Sequence, residues 1–360
     1  MAYVAVKGGK EAIEESIERL KLERLKGGHV LDVEDIQSGE RLLVDQVMSE
    51  SFLYSPQLAS LAIKQGEGSL EEAVFLMRAY RSTLPRNYYS LTVESDDMRI
   101  ERRISAAFKD IPGGQILGSC FDYKHRLLDF DLLLEKEEAL EEMLAHFEEA
   151  EKKQGSSDLF LPKVSDYLRK EGLLEKIENN DTPPKDVTKE ILTFPTVRSE
   201  RLQILTRGMT QTLISLGYAS LRGYGSVHPT VGNLGIYVAD PMNPQDEEES
   251  YYIGDIRVSE VESLIPHTIT NQNGESQLEF QVGYGIALGQ NESKAIAMSI
   301  LDRCLESEDK KYAINDEEFV LYHIDSVEAT GFISHLKLPH YVTFQSKLNS
   351  IRKTKERKTQ

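Results

Sequence analysis

Cysteine is scarce in this sequence, and its scarcity limits the kinds of site that the chain can build. Only Cys120 and Cys304 occur among 360 residues, far apart and outside any CxxC pair. A disulfide framework, an iron–sulfur cluster or a cysteine-based zinc site needs several suitably spaced thiols. We therefore exclude these sites and expect each cysteine to be a small buried thiol.

The sequence also lacks long apolar stretches and an excess of basic residues. No apolar run approaches the ~20 residues that span a bilayer, and residues 1–7 lack the features of a secretory signal. We therefore expect a cytoplasmic protein that does not bind membranes. Lys and Arg total 42 against 60 Asp and Glu, a formal net charge of −18. Proteins that neutralise nucleic-acid phosphates show the opposite balance, so we expect no nucleic-acid partner.

Apolar periodicity predicts an α+β fold, with a helix-rich N-terminal region and a mixed α/β C-terminal region. The first hundred residues are predicted to be mostly helical. A further helix is predicted over residues 98–109, and the Pro-Gly-Gly turn that follows ends it. Apolar residues alternate over 278–288, as in a half-buried strand, and residues 292–305 have helical spacing. A short β-rich run covers 319–324. Neither GxGxxG nor GxxxxGK[ST] is present, so no Rossmann or P-loop domain is expected.

Composition divides the chain into consecutive parts. Eight glutamates against three lysines mark an acidic stretch from residue 135, and Thr182-Pro183-Pro184 forms a second break. The predicted parts are a helix-rich domain (1–134), an acidic helical insert or linker (135–190), a mixed α+β domain (191–345) and a basic tail (346–360).

A cluster of basic residues before a glycine turn is the first of four candidate sites. Arginine forks and exposed glycine amides offer hydrogen-bond donors to phosphate oxygens. A solvated basic helix ending in an ordinary turn would explain the same residues. The candidate phosphate-binding residues are Arg102, Arg103, Lys109, Gly113 and Gly114, with Asp110 beside them as a carboxylate.

The second candidate site packs several chemical groups into residues 122–129. Asp122 and Asp129 supply carboxylates, His125 an imidazole and Arg126 a guanidinium. Such a segment can transfer protons or orient a bound sugar. An ion-paired surface turn fits the sequence equally well.

The third candidate site is the segment from Arg222 to His228. Backbone amides at Gly223 and Gly225 can approach an anion that the arginine neutralises. The spacing matches no known phosphate loop, and a plain turn is the alternative.

Two histidines form the fourth candidate site. His335 and His340 have the H-x3–5-H spacing of zinc ligands. A zinc site needs three or four ligands, so water, other residues or another chain would have to complete it. Two structural histidines are the alternative.

These four places, together with further motifs that follow in the same order along the chain, make the sequence similar to the PhnI family of the bacterial carbon–phosphorus lyase machinery. The resemblance covers nearly the whole chain, but residues 135–188 and 230–265 carry none of the matching motifs. The matching stretches are 3–9, 101–105, 109–115, 122–123, 125–130, 222–225, 228–229, 316–321, 327–329 and 334–342.

The resemblance implies a specific reaction and specific partners. Members of the family displace adenine from ATP with a phosphonate such as methylphosphonate, giving alpha-D-ribose 1-methylphosphonate 5-triphosphate. They do so with PhnG, PhnH and PhnL, and alone they resemble a purine nucleosidase. The radical enzyme PhnJ then breaks the carbon–phosphorus bond. By the same resemblance, His335 and His340 bind zinc at the contact with PhnJ.

The candidate residues suit this chemistry. Cleavage of an N-glycosidic bond passes through an oxocarbenium-like state, which a carboxylate stabilises and an acid near the purine assists. Asp110, Asp122 and Asp129 are the candidate carboxylates, His125 or His228 the candidate acid, and Mg²⁺ is expected with the triphosphate. The rival hypotheses are a non-catalytic scaffold that gives zinc ligands to PhnJ, and an independent metallohydrolase built on the histidine pair.

Overall fold

The computed structural model describes residues 9–154, 159–174, 182–225, 227–243, 250–270, 274, 276–337 and 340–357. Thirteen α-helices lie in these ranges, and none of them combines the length and apolarity needed to cross a bilayer. The helices are α1 Lys10–Leu25, α2 Val33–Gly39, α3 Arg41–Ser51, α4 Pro56–Gln65, α5 Leu70–Arg81, α6 Glu137–Gln154, α7 Asp166–Lys170, α8 Arg198–Arg207, α9 Thr210–Ala219, α10 Glu292–Leu305, α11 Glu317–His323, α12 Ser326–Ser334 and α13 Tyr341–Glu356.

The described strands form two antiparallel sheets. The larger sheet has the order β1-β2-β5-β6, and β3 pairs only with β4. A Rossmann or P-loop domain needs parallel strands, so neither fold occurs in the described residues and the predicted α+β class is confirmed. The strands are β1 Arg99–Ile104, β2 Thr230–Ala239, β3 Met242–Asn243, β4 Tyr251–Tyr252, β5 Ile256–Thr270 and β6 Ser276–Leu288.

Two of the predicted elements are confirmed and two are wrong. The predicted strand at 278–288 and helix at 292–305 are confirmed as β6 and α10. The helix predicted over 98–109 is wrong, because residues 99–104 pair with β2. The β-rich run at 319–324 is also wrong. Asp316 accepts a hydrogen bond from the amide of Phe319 and so begins helix α11 there.

The chain divides into two compact units, each assembled from separated segments. The first comprises residues 1–85, 184–225 and 305–360, and the second comprises 86–183 and 226–304. Composition predicted consecutive parts instead, and those boundaries stay a prediction.

In the second unit, one face of the larger sheet packs closely on α10. A Cβ atom at Gly283 or Gly285 would overlap the backbone carbonyl oxygen of Ser299 or Ala295. Only glycine therefore allows this approach. The hydroxyl groups of Ser263 and Ser299 form a buried hydrogen bond of 2.7 Å across the same contact.

The other face of the sheet carries buried charges that a covering segment neutralises. Glu260 and Glu262 on β5 are almost fully buried. Lys163 Nζ lies 2.8 Å from Glu260, and Arg169 donates to Glu262 at 2.6 Å. Burial opposes the charge of Lys163, but Glu260 and Glu262 hold its pKa above the ordinary value. Because unpaired buried charges are very costly, these pairs keep residues 159–174 on the sheet.

In the first unit, an aspartate joins two arginines to the start of α12. Asp325 accepts hydrogen bonds from Arg78 at 2.7 and 2.9 Å and from Arg207 at 3.1 Å. It also accepts from the amides of Val327 and Glu328, both at 3.0 Å. Burial alone would raise the pKa of Asp325, but Arg78, the Glu328 amide and Arg207 together lower it to about 2.

This lowered pKa predicts acid sensitivity of the first unit. An unfolded aspartate has a pKa of ~3.9, so ionised Asp325 contributes about 2–3 kcal/mol above that pH. The contribution should disappear as the pH falls from about 4 to about 2. Asp325→Asn should remove this step and cost about 3–5 kcal/mol at neutral pH, because two arginines lose their counter-charge.

Urea unfolding at several pH values measures both effects. Asp316→Asn is the matched control, since Asp316 also caps a helix but accepts no arginine hydrogen bond among those recorded for it. If the Asp325→Asn variant and the wild type lost the same stability between about pH 4 and about pH 2, Asp325 would not be the cause of the acid sensitivity.

Candidate functional site

Arg102 joins the first two predicted groups, because its guanidinium contacts Asp122. Its side chain is only 2% exposed, although it carries a full charge. The guanidinium donates to Glu292 at 2.6 Å and to Asp122 at 2.5 Å, and it also contacts the carbonyl oxygen of Leu117. Burial opposes this charge, but the hydrogen bond and charge of Glu292 hold the pKa of Arg102 above its ordinary value.

The loop around Arg102 brings Asp122 to the surface in a defined orientation. Gly118 has a φ of +58°, and a Cβ there would lie 2.8 Å from the carbonyl oxygen of Glu101. Gln290 donates to the carbonyl oxygen of Ser119 at 2.7 Å, which joins the loop to the start of α10. Asp122 is 51% exposed, so this arrangement presents an arginine-bound carboxylate to solvent.

Arg103 has a different role from its neighbour. Its guanidinium is buried and donates to the carbonyl oxygens of Pro112, Gly114 and Pro162, the last two at 2.9 and 3.2 Å. Burial lowers the pKa of Arg103. Arg103 therefore supports the turn containing Gly113 from inside, through the donors of its two terminal nitrogens.

The other predicted residues of this region lie on the surface. Lys109, Asp110, Gly113 and Gly114 are exposed, as is His125. In the same loop, Asp129 is exposed and accepts a hydrogen bond from the amide of Asp131 at 3.2 Å, which begins the helical turn Phe130–Leu134. The structure thus brings Asp122 to Arg102 and leaves these side chains open to solvent.

The third predicted group is divided between the two units. Arg222, Gly223 and Gly225 belong to the first unit, whereas His228 belongs to the second. Arg222 is exposed, with its guanidinium 5.9 Å from the centre of the Tyr218 ring. Gly223 has a φ of +94°, a conformation that favours glycine in the short helical turn Ser220–Tyr224.

His335 and His340 lie close together. Their ring centroids are 5.6 Å apart, with the planes at 82°. His335 Nδ1 is hydrogen-bonded to the carbonyl oxygen of Phe332, and His340 Nε2 lies 3.3 Å from the carbonyl oxygen of His335. Each ring therefore keeps one nitrogen for a metal, and the other is bonded as in zinc sites.

The histidine pair is only part of a metal site within the described ranges. No group of three or more His, Cys, Asp or Glu that could hold a metal occurs there. Two imidazoles fit zinc chemistry, but a stable site needs one or two further ligands.

Comparison with known proteins decides the family. The family described as "Bacterial phosphonate metabolism protein (PhnI)" matches residues 2–358. The chain belongs to the PhnI family. A relative from Escherichia coli (strain K12), named alpha-D-ribose 1-methylphosphonate 5-triphosphate synthase subunit PhnI, is 40% identical over 362 residues, covering 98% of each protein. The relative of the same name from Rhizobium meliloti (strain 1021) is 41% identical over 370 residues, covering 98% of this chain and 94% of that protein.

Sequence reasoning missed the residues that support the site in this PhnI-family chain. Glu292 is the first residue of the predicted helix at 292–305, and no local pattern predicts its pairing with Arg102. Glu260 and Glu262 lie two residues apart on a strand, which places both on one face. That spacing was a usable signal, but their partners Lys163 and Arg169 are far away in sequence.

The contacts of Arg102 predict strong coupling with Glu292. Arg102→Met should destabilise the chain by about 3–5 kcal/mol, because it leaves the largely buried Glu292 without its counter-charge. In a double-mutant cycle with Glu292→Gln, the double variant should lose less unfolding free energy than the two single variants together, by roughly 1 kcal/mol or more. Urea denaturation followed by circular dichroism measures both.

An exposed pair on the same sheet supplies the control. Arg257 donates to Glu101 at 2.8 Å, with both side chains partly exposed. Arg257→Met should therefore cost under about 1 kcal/mol. Additive effects of the Arg102 and Glu292 substitutions would argue against the coupling.

Proposed function

We propose that this chain is the PhnI subunit of a carbon–phosphorus lyase assembly and displaces adenine from ATP with a phosphonate such as methylphosphonate. An oxygen of the phosphonate bonds to C1′ of the ribose, the C1′–N9 bond breaks, and adenine leaves with a proton. The product is alpha-D-ribose 1-methylphosphonate 5-triphosphate. The observation that carries this proposal is the family match over residues 2–358, and the names of the two relatives support it.

Asp122 is the best-supported catalytic carboxylate. Its contact with Arg102 gives the carboxylate a defined orientation while about half of it remains exposed to a substrate. A carboxylate held in this way stabilises positive charge that develops on a ribose. Asp110 and Asp129 are the other candidates, and neither contacts a buried arginine through a recorded hydrogen bond.

The remaining roles follow from the exposed donors. His125 or His228 would give the departing purine its proton. Mg²⁺ would accompany the triphosphate and neutralise part of its charge. The proposed phosphate-binding residues are Lys109, Gly113, Gly114, Arg222, Gly223 and Gly225. From the interior of the second unit, Arg103 supports the turn at Gly114 and Arg102 holds Asp122.

We also propose that the chain acts with PhnG, PhnH, PhnL and PhnJ. His335 and His340 would hold zinc at the contact with PhnJ, and the partner would complete the ligand set. Support comes from the bonding of one nitrogen on each ring, which leaves the other for a metal. Without partners, water would replace the phosphonate and the chain would act as a purine nucleosidase.

A scaffold role is the second candidate function. One observation favours it: the donors of Arg102 and Arg103 bind protein carboxylates and carbonyl groups. The catalytic groups would then lie on another subunit.

Adenine release tests the main proposal. The purified chain is incubated with ATP and Mg²⁺, with and without its partners and methylphosphonate, and free adenine is quantified. Asp122→Asn should slow release by about 10²-fold or more, because the charge that stabilises the ribosyl cation is removed. Asp131→Asn, in the same exposed loop, should leave the rate unchanged. A normal rate for folded and assembled Asp122→Asn would remove Asp122 from catalysis, and no adenine under any condition would favour the scaffold.

The zinc proposal predicts a selective loss. His335→Ala or His340→Ala should lower the zinc content of the assembly with PhnJ and weaken carbon–phosphorus cleavage, while purine displacement stays within about twofold of normal. Metal analysis of the purified assembly and the two activity assays measure this. His267→Ala, an exposed histidine on β5, serves as control. Equal loss of both activities, or unchanged zinc content, would count against the proposed site.

A further inference from the structure

The loop that carries Asp122 is held mainly by side chains. The described part of the chain records no backbone hydrogen bond from residues 117–122 to a strand or a helix. Arg102 contacts the loop near its beginning and again at Asp122. Gln290 contacts it between these points, where its amide nitrogen donates to the carbonyl oxygen of Ser119 at 2.7 Å. The orientation of the carboxylate therefore depends on where these two side chains lie.

The turn between β6 and α10 fixes the backbone of Gln290. Gly289 has a φ of +70°, a conformation that favours glycine, and its amide donates to the carbonyl oxygen of Arg257 at 2.7 Å. The buried hydroxyl of Ser259 donates to the carbonyl oxygen of Gly289 at 2.8 Å and accepts from the amide of Asn291 at 2.7 Å. Both neighbours of Gln290 are thus hydrogen-bonded to strand β5.

This turn supports the loop in two ways. Gln290 acts on the carbonyl oxygen of Ser119, and Glu292, two residues later, accepts a hydrogen bond from Arg102 at 2.6 Å. Arg102 in turn donates to Asp122. The pair of Glu292 and Arg102 joins buried charges, whereas the hydrogen bond of Gln290 is neutral and lies at the surface. Loss of the Gln290 contact should therefore affect the loop much more than the stability of the fold.

The orientation of the carboxylate matters for the chemical step. Positive charge on the ribose develops only as the glycosidic bond breaks, so a carboxylate that stabilises this charge acts mainly on the transition state. A displacement of about 1 Å can slow such a step by about 10²-fold. Loss of orientation should therefore lower kcat and leave substrate binding, and with it KM, nearly unchanged.

We propose that Gln290 is a positioning residue for Asp122 and acts through the carbonyl oxygen of Ser119. This inference rests on the proposed function, in which Asp122 stabilises the ribosyl cation. Gln290 itself touches no substrate. Its hydrogen bond fixes the middle of the loop while Arg102 fixes the two ends, and these contacts together set the direction of the carboxylate.

Steady-state adenine release tests this role on the chain assembled with PhnG, PhnH and PhnL, at varied ATP and saturating methylphosphonate. Gln290→Ala should lower kcat about tenfold, while KM for ATP stays within about twofold. Gln290→Glu keeps the side-chain length but replaces the donating amide by an acceptor, so kcat should fall at least as far. Gln277→Ala, at an exposed position of β6, is the matched control and should behave as the wild type. Circular dichroism verifies that each variant is folded.

Combining Gln290→Ala with Asp122→Asn separates positioning from a merely structural role. If Gln290 acts only through the carboxylate, its removal should change the residual rate of the Asp122→Asn chain by less than about twofold. A structural role would instead lower the rate by the same factor with either residue at position 122. Longer incubations measure the slow residual release of the Asp122→Asn chains.

The outcomes distinguish the positioning role from the proposed function. A normal kcat for Gln290→Ala beside a slow Asp122→Asn would overturn the positioning role and leave Asp122 in catalysis. Equal losses in the two backgrounds would also overturn it, and so would a raised KM with an unchanged kcat, which would place Gln290 against the substrate. A normal rate for Asp122→Asn would remove that carboxylate from catalysis, and the positioning role would fall with it.

Discussion

The buried charges on the central strand β5 constrain the rest of the second unit. Glu260 and Glu262 cannot stay ionised inside the protein without nearby cations. Lys163 and Arg169 provide these cations from a segment almost a hundred residues earlier in the chain. That segment must therefore cover one face of the sheet, which leaves the other face for α10. Helix α10 therefore packs on that other face, where its first residue, Glu292, accepts a hydrogen bond from Arg102.

The candidate site depends on the same principle at a smaller scale. Arg102 is buried because Asp122 and Glu292 accept its hydrogen bonds, and Asp122 is oriented because Arg102 is buried. Because the guanidinium of Arg102 binds Asp122, Glu292 and the carbonyl oxygen of Leu117, this arginine has a structural role as well as an electrostatic one. Its contribution to substrate chemistry is therefore indirect, through the carboxylate that it holds at the surface.

The sequence was informative where one local pattern decides the structure. The alternation over 278–288 and the helical spacing of 292–305 each need only one apolar face, and both predictions are confirmed. Residues 99–104 were misread because two adjacent arginines indicate an exposed helix unless their partners are known. The acceptors of Arg102 and Arg103 include Glu292, 190 residues away, and no local pattern reveals such a contact. The sequence likewise predicted which residues could form the site. It could not predict how they are arranged, because that arrangement depends on contacts between residues far apart in the chain.

Gly283 and Gly285 give the seam between β6 and α10 an unusual property. Backbone contacts backbone at these two points, so no side chain of β6 separates the helix from the strand there. Glu292 lies at the first residue of that helix, one turn before Ala295. A shift of the seam would therefore move the acceptor of Arg102 directly. The precision of the surface carboxylate thus originates in a contact that involves no functional group at all.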